Sequence, residues 1–354
     1  MNLQSLQTRL GTAWRWLGGA SGKKAQRSFR ARWIVQSAMA ASCVWIGFAF
    51  ARFYGAARAG NLPLPERPPG VEGFLPIGGV IGLFDWLAQG TLNRIHPAAT
   101  ILVLIALVMA FLLRKSFCAW ICPVGFLSEL LGRAGRRIFG RNFRPWRWAD
   151  RLLRGVKYLL MLFFLQSIVT MGAFGLRAFL EGPYNRMADV HMGLFFSRLS
   201  LTAGVVLLVL AAGSVLVKGF WCRYFCPYGA LLGLVSWMSP TRVVRDPKSC
   251  IDCGLCDRVC MARLPVSTRG QVLDPECTGC MDCVAVCPVG EALHMKTGKK
   301  RMGGRALAIA VLLVFLLGYF GARGAGMWKN GLSDQEYVRG VAQIDSGTYS
   351  HPGR

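Results

Sequence analysis

The stretch "FCAWICPVGFLSEL" at 117–130 returns, little changed, as "WCRYFCPYGALLGL" at 221–234. Each copy has two cysteines separated by three residues, then Pro, one residue, Gly and an apolar run. Each comes after a hydrophobic segment and a lysine, Lys115 or Lys218. Residues four apart share a helix face, so each copy is expected to present both thiols in one direction. Pro123 and Pro227 disfavour helical geometry at the cysteine before them, and Gly125 and Gly229 are expected to loosen the turn after the proline. If the copies pack together, Cys118, Cys122, Cys222 and Cys226 converge on one site. Four thiolates suit a third Fe–S cluster, copper(I) or a dithiol relay; buried structural thiols are the plainer use. The duplication favours a redox or metal role.

Outward from the motifs, the chain is 53% hydrophobic with a net charge of +25 over 354 residues. Five apolar segments of about 17–20 residues fit helices across a ~30 Å hydrocarbon core. They lie near 33–52, 97–116, 158–176, 199–217 and 306–322. The first is expected to be a retained span, because it is too long and too richly flanked by Arg for an ordinary signal peptide. The basic residues divide unequally between the connecting segments. Residues 1–33, 114–157 and 218–305 hold 7, 11 and 13 Lys/Arg, against 4, 3 and 4 in 52–97, 176–199 and 322–354. The positive-inside rule then puts the N-terminus and both motifs in the cytoplasm and the C-terminal tail outside. The charge is thus a topology signal with some attraction to anionic lipid, and no nucleic-acid partner is expected.

The apolar segment 73–90 contains Asp85 and five glycines, and a sixth span there would spoil the charge balance. It is expected to be a re-entrant or interfacial helix on the outer surface, with 189–201 as its counterpart before the fourth span. Two such units in one orientation suggest a parallel structural repeat.

Eight of the thirteen cysteines lie in "CIDCGLCDRVC" (250–260) and "CTGCMDCVAVCP" (277–288). Both have the spacing by which bacterial ferredoxins hold [4Fe–4S] clusters, the fourth cysteine serving the other cluster. The expected ligand sets are Cys250, Cys253, Cys256 with Cys287, and Cys277, Cys280, Cys283 with Cys260. Zinc would need only paired Cys-x2-Cys units, and disulfides are disfavoured on a cytoplasmic face. Met261 stands after Cys260 where the ferredoxin pattern has a proline, whereas Pro288 keeps that pattern after Cys287. Cys43, alone in the first span, reads as core packing. Asp85, His96 and His191, near the outer ends of spans, are the weak candidates for a quinone site.

The expected architecture is an all-α polytopic membrane protein of about five transmembrane helices with an internal parallel repeat. It carries a cytoplasmic α+β domain of the bacterial-ferredoxin kind with two [4Fe–4S] clusters. The expected division is a basic N-terminus (1–32), a membrane domain (33–240), the dicluster domain (241–302), a last span (303–322) and a periplasmic tail (323–354).

The paired Cys-x3-Cys-Pro motifs beside a double-cluster segment resemble the NapH-like membrane ferredoxin family over roughly residues 30–322. That family includes the quinol dehydrogenase component of periplasmic nitrate reductase systems and is similar to the membrane core of NosR and of CcoG/RdxA proteins. The resemblance implies a bacterial inner-membrane protein carrying electrons between the quinone pool and a redox partner, such as a c-type cytochrome or a ferredoxin-type subunit. Cys118, Cys122, Cys222 and Cys226 match the family's paired motifs. Against that pattern, neither an N-terminal flavin-binding region as in NosR nor an immunoglobulin-like domain as in CcoG is expected, and a fifth span and an outer tail are expected beyond the NapH pattern. Trp328, Tyr337 and Tyr349 of that tail suggest a docking surface for a periplasmic partner. A copper-handling metal reductase or respiratory assembly factor is the alternative function, and a redox sensor without turnover a third.

Overall fold

The computed structural model describes residues 23–345 and 347–349, and the first 22 residues of the basic N-terminus lie outside them. Helix α1 (Lys23–Arg58) carries the first apolar segment and extends it by more than two turns on the basic side. Next come α2 (Pro76–Gln89), α3 (Pro97–Leu113), α4 (Ser116–Trp120) and α5 (Pro123–Phe139). The long α6 (Arg147–Glu181) kinks at Gly172, whose φ of 63° few residues but glycine adopt. It leads through α7 (Pro183–Arg186) to α8 (Ala188–Ser197), α9 (Leu201–Leu216), α10 (Phe220–Tyr224) and α11 (Pro227–Trp237).

Among the described residues, three helices are long and apolar enough to cross a membrane: α1, α6 and α14 (Gly304–Gly324). The helices at the second and fourth expected spans are shorter, 17 residues for α3 and 16 for α9. At 1.5 Å per residue each reaches about 25 Å. Helices α8 and α9 pass the same test only together, bent by 78° at their junction. Each short span ends where the cysteine motif begins, at Arg114 (φ 63°) and just before Gly219 (φ 71°).

The segment expected to be a re-entrant or interfacial helix, 73–90, holds the 14-residue α2. Helix α2 packs lengthwise on α3 and α6. Gly79 and Gly82 meet the Ala99 carbonyl and the Thr100 side chain so closely that a Cβ has no room. Small residues on one face let two backbones approach, the device that joins helices in lipid.

The units α3–α4–α5 and α9–α10–α11 repeat one design and pack reciprocally. Helix α3 lies on α11 of the other unit, and α9 lies on α5. Gly135 of α5 abuts the Val215 carbonyl, and Phe143 N–H donates to the Leu216 carbonyl at 2.9 Å.

The segment after α11 forms an antiparallel sheet ordered β2-β1-β3-β4: β1 (Thr241–Arg245), β2 (Gln271–Val272), β3 (Leu293–Thr297) and β4 (Lys300–Met302). Val243 faces Val272 on one side and Met295 on the other, and all three are buried. Two short helices, α12 (Leu255–Val259) and α13 (Asp282–Val286), come after the cysteine loops. After α14 the tail turns back: α15 (Asp334–Ala342) starts with a Ser333–Glu336 capping box and packs on α1. Trp328 stacks edge-on against Tyr319 at 4.8 Å, and Tyr337 packs edge-on against Phe53 at 5.0 Å. Both rings are buried within the chain, so the docking surface expected from the tail's aromatic residues is largely spent on intramolecular packing.

Candidate cluster sites and the paired-cysteine site

The dicluster loops turn on residues with left-handed backbone. Asp252 and Gly254 have φ of 49° and 65° in the first loop; Gly279 and Met281 have 64° and 63° in the second. Such turns bring successive thiols round one centre. Cys250, Cys253 and Cys256 line one cavity with Cys287, beside Gly254 and Pro288. Cys253 is exposed there. Burial and the adjacent Asp257 push the Cys256 thiol up to about 12. The second set is deeper: Cys283 is buried and close enough to Cys260, Cys277 and Cys280 to feel their charge. Each set thus joins three cysteines of one stretch to the fourth of the other. The chain turns after Cys260 without a proline, because Leu264 N–H donates to its sulfur at 3.4 Å and Arg263 N–H to its carbonyl at 3.2 Å.

Among the described residues, no three His, Cys, Asp or Glu side chains close on a position for a single metal ion. A cubane takes its thiolates at separate corners. Sets of four cysteines gathered round glycine-bearing loops, three from one stretch and one from the other, fit [4Fe–4S] clusters.

The paired motifs are built differently from the reading of one helix face. Each breaks at its second cysteine. Cys118 and Cys222 lie within α4 and α10, whereas Cys122 and Cys226 cap α5 and α11, with Pro at the first helical position. An extended N-cap with Pro after it is the economical way to start a helix. Gly229 N–H donates to the Cys226 sulfur at 3.2 Å. Gly125 sits against the Cys118 carbonyl with no space for a Cβ. These glycines tighten the turn rather than loosen it.

The reciprocal packing brings the two pairs together. Cys222 is near enough to Cys226, Cys122 and Cys118 to feel the charge of all three. Burial pushes Cys118 up to about 12 and Cys122 up to about 11, so free thiols here stay protonated at neutral pH. Two buried cations face them. Lys115, 3% exposed, stands 3.6 Å from Glu276, which Lys157 holds at 2.5 Å and Tyr158 at 2.9 Å. Burial would raise the Glu276 carboxyl, but Lys115 and Lys157 hold it down at about 2. Two ammonium groups against one carboxylate leave a positive surplus beside the thiols, which favours an anionic occupant. Cys43, in α1, is close enough to Cys122 for each to feel the other's charge.

Both motifs reach the deeper dicluster set. Trp120, between Cys118 and Cys122, donates from Nε1 to the Gly279 carbonyl at 3.3 Å, between Cys277 and Cys280. Arg223, between Cys222 and Cys226, donates to the Ala262 carbonyl two residues past Cys260 and is fixed on Asp150 at 2.7 Å. Arg114 bonds the Asp274 carbonyl at 2.6 Å and the Ser236 carbonyl at 3.1 Å, clamping the second loop to α11.

The three quinone-site candidates each have polar or ring partners of their own. Asp85 is buried, paired with Arg177 at 3.2 Å and bonded by Gln89 at 3.0 Å. His96 meets the Asn185 carbonyl at 2.6 Å and has Glu72 3.4 Å away. His191 stacks on Tyr184 at 5.3 Å. What the sequence hid around His96 is a buried network in which Arg67 holds Glu72 at 2.9 Å and Asp189 at 2.6 Å, and Tyr337 donates to Asp189 at 3.1 Å. Its members come from distant segments, so no spacing announces them.

A family profile described as a 4Fe-4S binding domain matches residues 95–142 and again 199–245, the two repeat units. A second, the 4Fe-4S dicluster domain, matches 242–303. YccM of Escherichia coli (strain K12), named for electron transport, is 40% identical over 301 residues, covering 82% of this chain and 83% of that protein. The ferredoxin-type protein NapH of Haemophilus influenzae is 27% identical over 56% of this chain and 70% of its own. Protein NirI of Paracoccus denitrificans is 27% identical over 62% of this chain and 33% of its own. No solved structure matches. The repeated cysteine motifs, the dicluster segment and the relative matched across most of both chains place this protein in the NapH-like family of ferredoxin-type membrane electron-transport proteins.

Proposed function

We propose that this chain oxidises quinol and delivers electrons to a respiratory redox partner from the cytoplasmic membrane of a bacterium. In this reading Cys250, Cys253, Cys256 and Cys287 hold one [4Fe–4S] cluster, and Cys260, Cys277, Cys280 and Cys283 the second. Cys118, Cys122, Cys222 and Cys226 hold a third redox centre at the membrane edge. Positive-inside charge puts these three sites in or at the cytoplasm and the tail in the periplasm.

The observation that carries the reading is the contact between Trp120 and the Gly279 carbonyl. It seats the loop of one cysteine set on the helix turn of another, a direct bond between the membrane motif and the dicluster domain. When bound, a [4Fe–4S] group supplies one-electron storage at a potential set by charge, hydrogen bonds and exposure. The chain's own residues do the rest: Lys115 and Lys157 compensate anionic charge, and Arg114, Trp120 and Arg223 fix the spacing. The positive surplus beside the four thiols suits a four-cysteine cluster, whose thiolates and sulfides carry net negative charge.

The test is iron and sulfide content with EPR on purified protein, wild type against Cys118→Ser plus Cys222→Ser. With four irons per cluster, about twelve irons falling to about eight supports the third cluster, and about eight in both sinks it. Adding a reduced quinol analogue should reduce the clusters of the wild type; clusters that stay oxidised at a suitable potential count against quinol oxidation.

A further inference from the structure

The two dicluster cysteine sets stand in unequal electrostatic surroundings. Arg32, from α1, is 1% exposed and bonds Glu129 at 2.8 Å and Asp282 at 3.1 Å, both through Nη2. Its Nε and Nη1 are buried and bond nothing among the described residues. The guanidinium is close enough to Cys280 for each to feel the other's charge. Lys218 anchors on the Val259 carbonyl at 2.8 Å, and its charge reaches Cys260, Cys280 and Asp282. Arg133 and Arg136 complete the surroundings, so four cations face two carboxylates, Glu129 and Asp282.

The set of Cys250, Cys253, Cys256 and Cys287 has the opposite balance. Arg245 faces Asp252 at 2.9 Å, and Asp257 lies 3.7 Å from the Cys256 sulfur. One cation therefore meets two carboxylates, and the 78% exposed Asp252 side chain opens the site to screening by water.

We infer that Arg32 turns its free N–H groups on the cluster held by Cys260, Cys277, Cys280 and Cys283 and, with Lys218, makes it the higher-potential cluster of the pair. This rests on the two-cluster reading of the proposed function. An added electron adds negative charge, which burial opposes and which cations and N–H···S bonds favour. The burial at this site makes its cations count for more, because water screens them less. A cluster of raised potential beside the paired-cysteine site is the one to which electrons from a mild reductant such as quinol pass on, and an electron shared by the pair rests there.

The experiment is an EPR-monitored redox titration of the full chain in detergent. Arg32→Gln should make reduction of the higher-potential cluster at least tenfold less favourable, ~59 mV for one electron, and leave the other unmoved. Lys218→Met, which leaves the ion pairs of Arg32 intact, should lower the same cluster. Arg245→Gln should lower only the lower-potential one. Unmoved potentials in both Arg32→Gln and Lys218→Met, or a shift confined to the lower cluster, overturn the inference. Should Arg32→Gln lose iron through misfolding, Lys218→Met decides alone. A wild type without two [4Fe–4S] signals sinks the two-cluster reading itself, whereas two clusters with unshifted potentials sink only this inference.

Discussion

Gly125 shows how much one missing methyl does here. The Cys118 carbonyl fills the space its Cβ would take, in the turn that sets the spacing of Cys118 and Cys122. Gly125→Ala is expected to cost about 1–3 kcal/mol as overpacking and to lower iron content, read by a melting curve in detergent and iron assay. His96 makes a different prediction. Burial would lower the pKa of its imidazole, but the adjacent Glu72 outweighs burial and raises it above 6.5. The protonated ring therefore contributes stability that is fully present below about pH 6.5 and is lost as pH rises through the higher folded value. Melting temperature should fall between about pH 6 and pH 8, and His96→Gln should flatten that dependence; an unchanged slope would refute it.

At the scale of elements, the motif spacing and the break that proline imposes at the second cysteine were legible, but not that the two thiols of a pair belong to successive helices. Cys-x3-Cys on an uninterrupted helix would stack two thiols on one face. Proline at the first position of α5 and α11 instead makes the second cysteine an N-cap, so the pair bridges two helices. Helix α2 shows the same limit: its glycines read as irregularity until α3 supplied the surface they fit. The tail helix α15 rests on its Ser333–Glu336 box. Ser333→Ala should cost about 1 kcal/mol and speed proteolysis of the tail while leaving cluster signals unchanged.

At the scale of the whole molecule, the dicluster domain is clamped to the repeat units. Trp120→Phe keeps an aromatic ring but leaves the Gly279 carbonyl without that donor, at a cost of about 1 kcal/mol. It should slow reduction of the clusters by a quinol analogue in stopped flow while preserving their iron. The orientation is tested independently: a reporter fused after Lys300 should be active only in the cytoplasm, and periplasmic activity would reverse the topology drawn from charge. The sequence identified both sets of dicluster cysteines because their spacing is local, three thiols within a single loop. It located the four motif thiols and the lysine before the first pair, but not Lys157 and Glu276, which come from distant parts of the chain.

By itself, the sequence determined the membrane character, the duplicated motif and the ferredoxin-type segment, because hydropathy, repetition and cysteine spacing are properties of contiguous residues. The tertiary structure alone decided that α3 packs on α11 and α9 on α5, each on the opposite repeat unit. It also decided that Arg32 of the first helix faces Cys280, as far along the chain as its bond to Asp282, which spans 250 residues. Such placements depend on which buried charges find partners and which backbones can touch, and both are settled only when distant segments share one interior.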